Sequence, residues 1–372
     1  MIHKELAACL LFTGLSLSSL SHAGAQTDNA AQRAAPINVI FDTDMWSDID
    51  DILALAMLHA LHDRHEINLV AVTISTDDKW CAPYVDLVDT FYRHPQIPIG
   101  IVHGGMSNAA FQRKYPQMKW PATIYTQHLS ERKKADGDWV YPHRLTDGTK
   151  VPEAVALLRK TLAAQPDGSV VVIQVGYSTN LARLLDSSGD AASALNGRDL
   201  VRKKVQLLSV MAGNFAETKS QGKTLPKGTS EFNVSSDVPA AQKVFADWPT
   251  PVVASGFEIG LEMLYPARSI EHDYAYASNH PIADTYRWYS EEQKNWPHDH
   301  ATFDLTSVLY AARPDRNYFS LSKPGKITVL ADGGTRFEES ENGAHRYLIL
   351  GKEQQARTLE AMVMLASQPP LE

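Results

Sequence analysis

Residues 42–51 read "DTDMWSDIDD", five carboxylates in ten positions directly behind the apolar run "INVIF". Carboxylates repel one another and are costly to take out of water. A chain that gathers five where a buried strand should end needs something to keep them ionised, and an oxygen-binding hard cation does so. Such a cation also acidifies a bound water, from which a neighbouring carboxylate can remove a proton. Part of the cluster has a plainer reading. Asp50 and Asp51 stand at the start of a helical pattern, where the positive end of the helix dipole favours acids.

Other apolar runs end in polar residues too. "VVIQV", closing at Val175, is followed by Gly176 and "YSTN". "LLSVM" is followed by "AGN", with Asn214, and later by "SEFNVSSD", with Glu231 and Asn233. Asp304 opens the apolar pattern in "FDLTSVLYAA". Taken singly, these are turn residues or helix-start acids. Taken together they describe a pocket rich in carboxylates and amides, which suits a polyol such as a sugar.

The elements that must position these residues follow from periodicity. Continuous β-branched apolar runs predict strands at 37–43, 67–75, 97–102, 169–175, 205–211 and 251–256. Helical spacing falls at 50–63, 80–94, 151–165, 178–186, 236–247 and 303–312, with Pro152 in the first turn of one helix and Ser178 capping another. Two strands near 325–331 and 345–350 and a helix from 352 to about 366 close the chain. This alternation predicts an α/β fold, a mostly parallel central sheet with helices on both faces. Ligands of such sheets bind beyond the carboxyl ends of the strands, where the aspartates fall. Two irregular segments rich in aromatics and histidine, 103–150 and 265–302, are expected to form lids. One domain is expected over 37–372.

Residues 1–25 carry one Lys, an apolar stretch and small residues before Gln26, the pattern of a secretory signal peptide, and 26–36 read as a linker. Export to a bacterial periplasm or beyond is the expectation, with no stable membrane insertion. The net charge of −8 disfavours a nucleic-acid partner. Cys81 is the only cysteine after the signal segment, so no disulfide forms within the domain, and its helical setting reads as core.

"DTDMWSDIDD" resembles the aspartate motif that follows the first strand in the inosine–uridine-preferring nucleoside hydrolases. "LVAVTIS", "VGYSTNLARLL", "VMAGNF", "SEFNVSSDVPAAQKVF" and "DLTSVLYAARP" follow in that family's order, over roughly 37–366. The resemblance implies that family's Rossmann-like fold and a calcium-dependent hydrolysis of the N-glycosidic bond of ribonucleosides, yielding ribose and a free base. It implies Asp44 as general base and Ca²⁺ ligand, with Asp51, the Val175 carbonyl and Asp304 as further ligands. Asp50, Glu231, Asn233 and Asn214 would bind the sugar, and Asp42 would brace the loop. The implied partner is a small nucleoside or riboside, and the family's dimers and tetramers leave a homo-oligomer open.

Three departures stand out. "MW" replaces a motif segment that usually holds glycine, so Trp46 either lines the pocket or packs beneath the loop. The sugar-binding Asn after the second strand falls near Asp78, which could accept a hydroxyl proton. Phe303 stands where purine-active members have the His that protonates the leaving base, and a phenyl ring cannot do so. His298 and His300 lie close enough in sequence to substitute, or are exposed loop residues; "HDH" also invites a Zn²⁺ reading. Asp48 is unassigned. Two other readings compete: a haloacid-dehalogenase-type phosphohydrolase, which also places Asp-x-Asp after strand one, and a sugar- or nucleoside-binding protein without turnover.

Overall fold

The computed structural model describes residues 35–371 except 47 and 117–123. The expected signal peptide and nearly all of the linker lie outside the described residues. The strands are β1 (Ile37–Thr43), β2 (Ile67–Thr76), β3 (Ile99–Met106), β4 (Val170–Gln174), β5 (Val205–Met211), the hairpin β6 (Thr218–Ser220) and β7 (Lys223–Leu225), β8 (Val252–Ser255), β9 (Leu264–Tyr265), β10 (His300–Ala301), β11 (Ser320–Leu321), β12 (Gly325–Val329), β13 (Thr335–Glu339) and β14 (His345–Ile349). The main sheet runs β13-β12-β14-β8-β5-β4-β1-β2-β3. From β14 to β3 every pairing is parallel; β12 and β13 add an antiparallel edge, as sequence alternation alone did not reveal.

Both faces of the sheet are buried, which is why its strands read as unbroken apolar runs. Val39, Phe41, Val171 and Ile173 belong to one hydrophobic cluster, while Ile40, Val170 and Val172 belong to the other. The helices Asp50–Asp63, Cys81–Phe91, Asp304–Ala312 and Lys352–Ala366 feed the first cluster; Ala154–Ala164, Thr179–Asp186, Gly197–Lys204 and Val238–Asp247 feed the second. Asp50–Asp63 is buried at nearly every position, because its sequence is apolar around the whole cylinder rather than on one stripe. Cys81 is fully buried, in keeping with a core role. No helix among the described residues is long and apolar enough to cross a membrane.

Two helix starts differ from expectation. Ala154–Ala164 begins after Pro152, and the Glu153 carboxylate accepts from the N–H groups of Val155 and Ala156, so an acid rather than proline organises that first turn. Ser178 precedes its helix without capping it, because its hydroxyl instead accepts from Gln174 Nε2 at 3.1 Å.

The chain leaves β1 toward β2 and β3, then returns to place β4 on the other side of β1. That reversal opens a crevice beyond the ends of β1 and β4, where α/β sheets bind ligands. The two strand ends are stitched closely. Val175 N donates to Asp42 O at 2.7 Å, Ser75 Oγ donates to Thr43 O at 3.2 Å, and Tyr177 N donates to Ser75 Oγ at 3.0 Å. A Cβ on Gly176 would stand 2.4 Å from Asp44 N and 2.6 Å from Ser75 Oγ. Gly176→Ala is therefore expected to cost about 1–3 kcal/mol of stability and to displace Asp44, read as a lower melting temperature together with reduced turnover. Unchanged melting and turnover would contradict this packing.

Candidate active site

A cavity of about 650 Å³ occupies the β1/β4 crevice. Asp44, Asp50, Asp51, the Val175 residue, Glu231, Asn233, Phe303 and Asp304 all line it. These residues come from β1 and its following loop, the end of β4, the segment after β5 and the start of Asp304–Ala312, so four separate stretches of chain converge. Asp78 and Asn214 do not line it. Asp78 Oδ1 accepts from Trp80 N at 2.9 Å at the entry to Cys81–Phe91. Asn214 braces its own loop, its Oδ1 accepting from Ala216 N at 3.3 Å and its Nδ2 donating to Pro226 O at 3.4 Å. In both cases the side chain is spent on a local turn.

The five motif aspartates separate by environment. Asp42 joins β1 to its neighbours: its Oδ1 accepts from Thr73 Oγ1 at 2.6 Å and Asn180 Nδ2 at 2.8 Å, and burial pushes its carboxyl up to about 7. Asp44 is pushed up to about 6, chiefly by burial, against the opposing influence of Asp51 and Tyr177 beside it. Asp50 Oδ2 accepts from the N–H groups of Phe303 (2.8 Å) and Asp304 (3.2 Å), tying the motif to the late helix. Asp51 Oδ1 accepts from Thr43 Oγ1 and from Met45 N. Met45 takes a φ of 41°, a region that favours glycine, and its N–H is held by both Thr43 Oγ1 and Asp51. Trp46 satisfies both of its readings: it is buried, lies 4.5 Å from Phe111 between ring centres, and lines the cavity.

Asp50, Asp51 and Asp304 each offer one carboxylate oxygen within 4.8 Å of the others. Burial, then the neighbouring acids, drives Asp51 and Asp304 well above the usual carboxylate range. No Lys or Arg lies among the described residues lining the cavity, whereas seven of them are Asp or Glu. An all-oxygen donor set of buried, mutually repelling carboxylates fits a hard divalent cation and not a soft one. The Val175 carbonyl already accepts from Asn233 Nδ2 at 2.8 Å and has a second lone pair to give. Glu231 caps the short helix Phe232–Ser236, accepting from the N–H groups of Asn233, Val234 and Gly213, and burial raises its carboxyl to about 7.

Both expected lid segments contribute walls, Ile124 and Tyr125 from one, Trp288, Tyr289, Glu292 and His300 from the other. Their density of aromatics was the signal. Ser220 and Gln221, at the β6–β7 turn, also reach the cavity, and nothing in their polar sequence marked them. Phe303 stacks on Phe257 with ring centres 5.2 Å apart and planes 6° apart. The two histidines of "HDH" part ways. His298 is exposed, while His300 lines the cavity and donates from Nε2 to Asp48 Oδ1 at 2.6 Å. The two rings meet edge-on with centres 6.2 Å apart, but the metal-capable group found among the described residues is Asp50, Asp51 and Asp304, which gives no support to a zinc site at these histidines.

A carboxyl raised above its unfolded value opposes folding while it is ionised, and the opposition is relieved as pH falls through the folded value. In chelator, Asp304→Asn should therefore melt higher than wild type by about 1 kcal/mol or more, while wild type gains stability as pH is lowered from 8 toward 6. A variant that melts lower in chelator would show that Asp304 is satisfied without a cation.

The model of the inosine-uridine preferring nucleoside hydrolases matches residues 39–362. No curated protein sequence matches significantly. Among solved structures, a purine-preferring ribonucleoside hydrolase from Gardnerella vaginalis is similar at 16% identity and a TM-score of 0.62, over 89% of this chain and 98% of that one. An inosine-guanosine nucleoside hydrolase gives 17% and 0.61, over 88% and 98%. An inosine-uridine preferring nucleoside hydrolase from Bacillus anthracis gives 15% and 0.59, over 89% and 99%. At these identities the structures speak for the shared fold, a mostly parallel sheet enclosed by helices. The family match spans the acidic crevice, both lid segments and the late helix, and the chain belongs to the inosine-uridine preferring nucleoside hydrolases, which are N-glycosyl hydrolases.

Proposed function

We propose that the chain hydrolyses the N-glycosidic bond of neutral ribonucleosides with Ca²⁺ as cofactor, releasing ribose and the free base. The observation that carries this reading is one cavity with a carboxylate cluster at the β1/β4 crevice and an aromatic wall opposite in character. Asp44, Asp51, Asp304 and the Val175 carbonyl would hold the cation. When bound, it would fix the sugar's adjacent hydroxyls and lower the pKa of the attacking water.

Asp44 accepts the proton of that water as the water attacks the anomeric carbon. Asp50 keeps Oδ1 for a ribose hydroxyl, because Oδ2 is committed to the Phe303 and Asp304 amides. Its place beside Asp51 and Asp304 would let the same carboxylate help hold the cation. Asn233, with Nδ2 held by Val175 O, presents its amide oxygen to the sugar, and Glu231 fixes the turn that aims it. Phe257, Phe303, Trp288 and Tyr289 offer flat apolar faces to a planar base. The absence of Lys and Arg among the described lining residues disfavours phosphate, which selects nucleosides over nucleotides and speaks against a phosphohydrolase.

The test is release of reducing sugar from a nucleoside panel, with and without chelator. Wild type should cleave at least one nucleoside only with Ca²⁺ present and should leave 5′-monophosphates untouched. Asp44→Asn should lose about 10²–10⁴-fold in kcat, the usual worth of a positioned base. Ribose or nucleoside binding without any turnover would replace this reading with the binding-protein one.

A further inference from the structure

A purine or pyrimidine expelled as an anion is a poor leaving group, so N-glycoside cleavage gains when a proton reaches the departing ring nitrogen. Phe303 cannot supply it. His300 is the one histidine among the described residues lining the cavity. Its Nε2 is bonded to Asp48 Oδ1, and Asp48 is itself fixed by accepting from Ile49 N at 2.7 Å. No described residue bonds the other ring nitrogen, Nδ1. His300 lies edge-on to Tyr289, ring centres 5.5 Å apart, within the aromatic wall. Three residues further on, the Phe303 amide is tied to Asp50 in the acidic cluster. The ring thus stands at the border between the half that suits a sugar and the half that suits a base.

We propose that His300, oriented by its hydrogen bond to Asp48, is the catalytic acid that protonates the leaving base from Nδ1. This rests on the ribohydrolase reading and supplies its missing leaving-group half. The N-glycosidic electron pair goes to the base nitrogen, which takes the His300 proton. The water oxygen bonds the anomeric carbon and gives its proton to Asp44. Asp44 then returns a proton to solvent and His300 takes one back, so the sum is nucleoside plus water giving ribose plus base. Carboxylate and histidine are 252 residues apart, so the pair exists only in the folded chain.

The experiment compares His300→Ala with wild type on two ribosides, in Ca²⁺. One is a natural nucleoside, whose base needs the proton; the other is p-nitrophenyl β-ribofuranoside, whose phenolate leaves unaided. His300→Ala should lose about 10²-fold or more in kcat on the nucleoside and less than about fivefold on the nitrophenyl riboside. Retained nitrophenyl turnover also reports that the variant is folded. Asp48→Asn, which keeps a hydrogen bond to the ring but removes the charge, should give the same selective pattern with a smaller loss. An undiminished nucleoside rate in His300→Ala, or equal losses on both substrates in both variants at unchanged melting temperature, would overturn the role of His300 while leaving the ribohydrolase intact. Wild type inert toward every riboside would overturn both.

Discussion

Like-charged carboxylates packed out of water between two parallel strands govern how this molecule is built. Asp44, Asp50, Asp51 and Asp304 come from two distant stretches of chain, yet none has a Lys or Arg partner within the described cavity. Their repulsion is carried by the backbone around them. Asp50 is held by two amides of the late helix, Asp51 by Thr43 and Met45, and the β1 and β4 ends are joined through Ser75 and Gly176. A site that is unfavourable when empty and favourable when a cation is bound converts ligand binding directly into stability.

The cavity divides chemically. Its acidic half is rigid, built on strand ends and helix starts, and matches the demands of a sugar with adjacent hydroxyls. Its other half is aromatic, with Tyr125, Trp288 and Tyr289 supplied by the two long insertions, which vary most easily without disturbing the sheet, and Phe257 and Phe303 by the helices beside them. Phe303 stacks on Phe257 at the start of the late helix, and His300, bonded to Asp48, lies three residues before it.

Strands buried on both faces were legible in the sequence, since unbroken apolar runs such as "INVIF" and "VVVIQV" admit few alternatives. The acidic half was legible too, because four of its carboxylates lie in one motif or open a helix. Asp78 and Asn214 bond within their own loops, because a shift of a residue or two after a strand end decides whether a side chain meets the pocket or its own turn. The antiparallel edge, the helix Gly197–Lys204 and the β6–β7 hairpin carry weak periodicity. The His300–Asp48 pair had no local signal, since it depends on where a 38-residue insertion folds back over the first loop.

A hard cation that balances the buried acids must stabilise the fold when it binds. The most direct measurement is the melting temperature of the wild-type protein against Ca²⁺ concentration after exhaustive chelation. The melting temperature should rise and keep rising logarithmically above the dissociation constant, worth about 2.7 kcal/mol at a hundred times that value, and the rise should be lost in Asp51→Asn. A melting temperature indifferent to Ca²⁺ would contradict it.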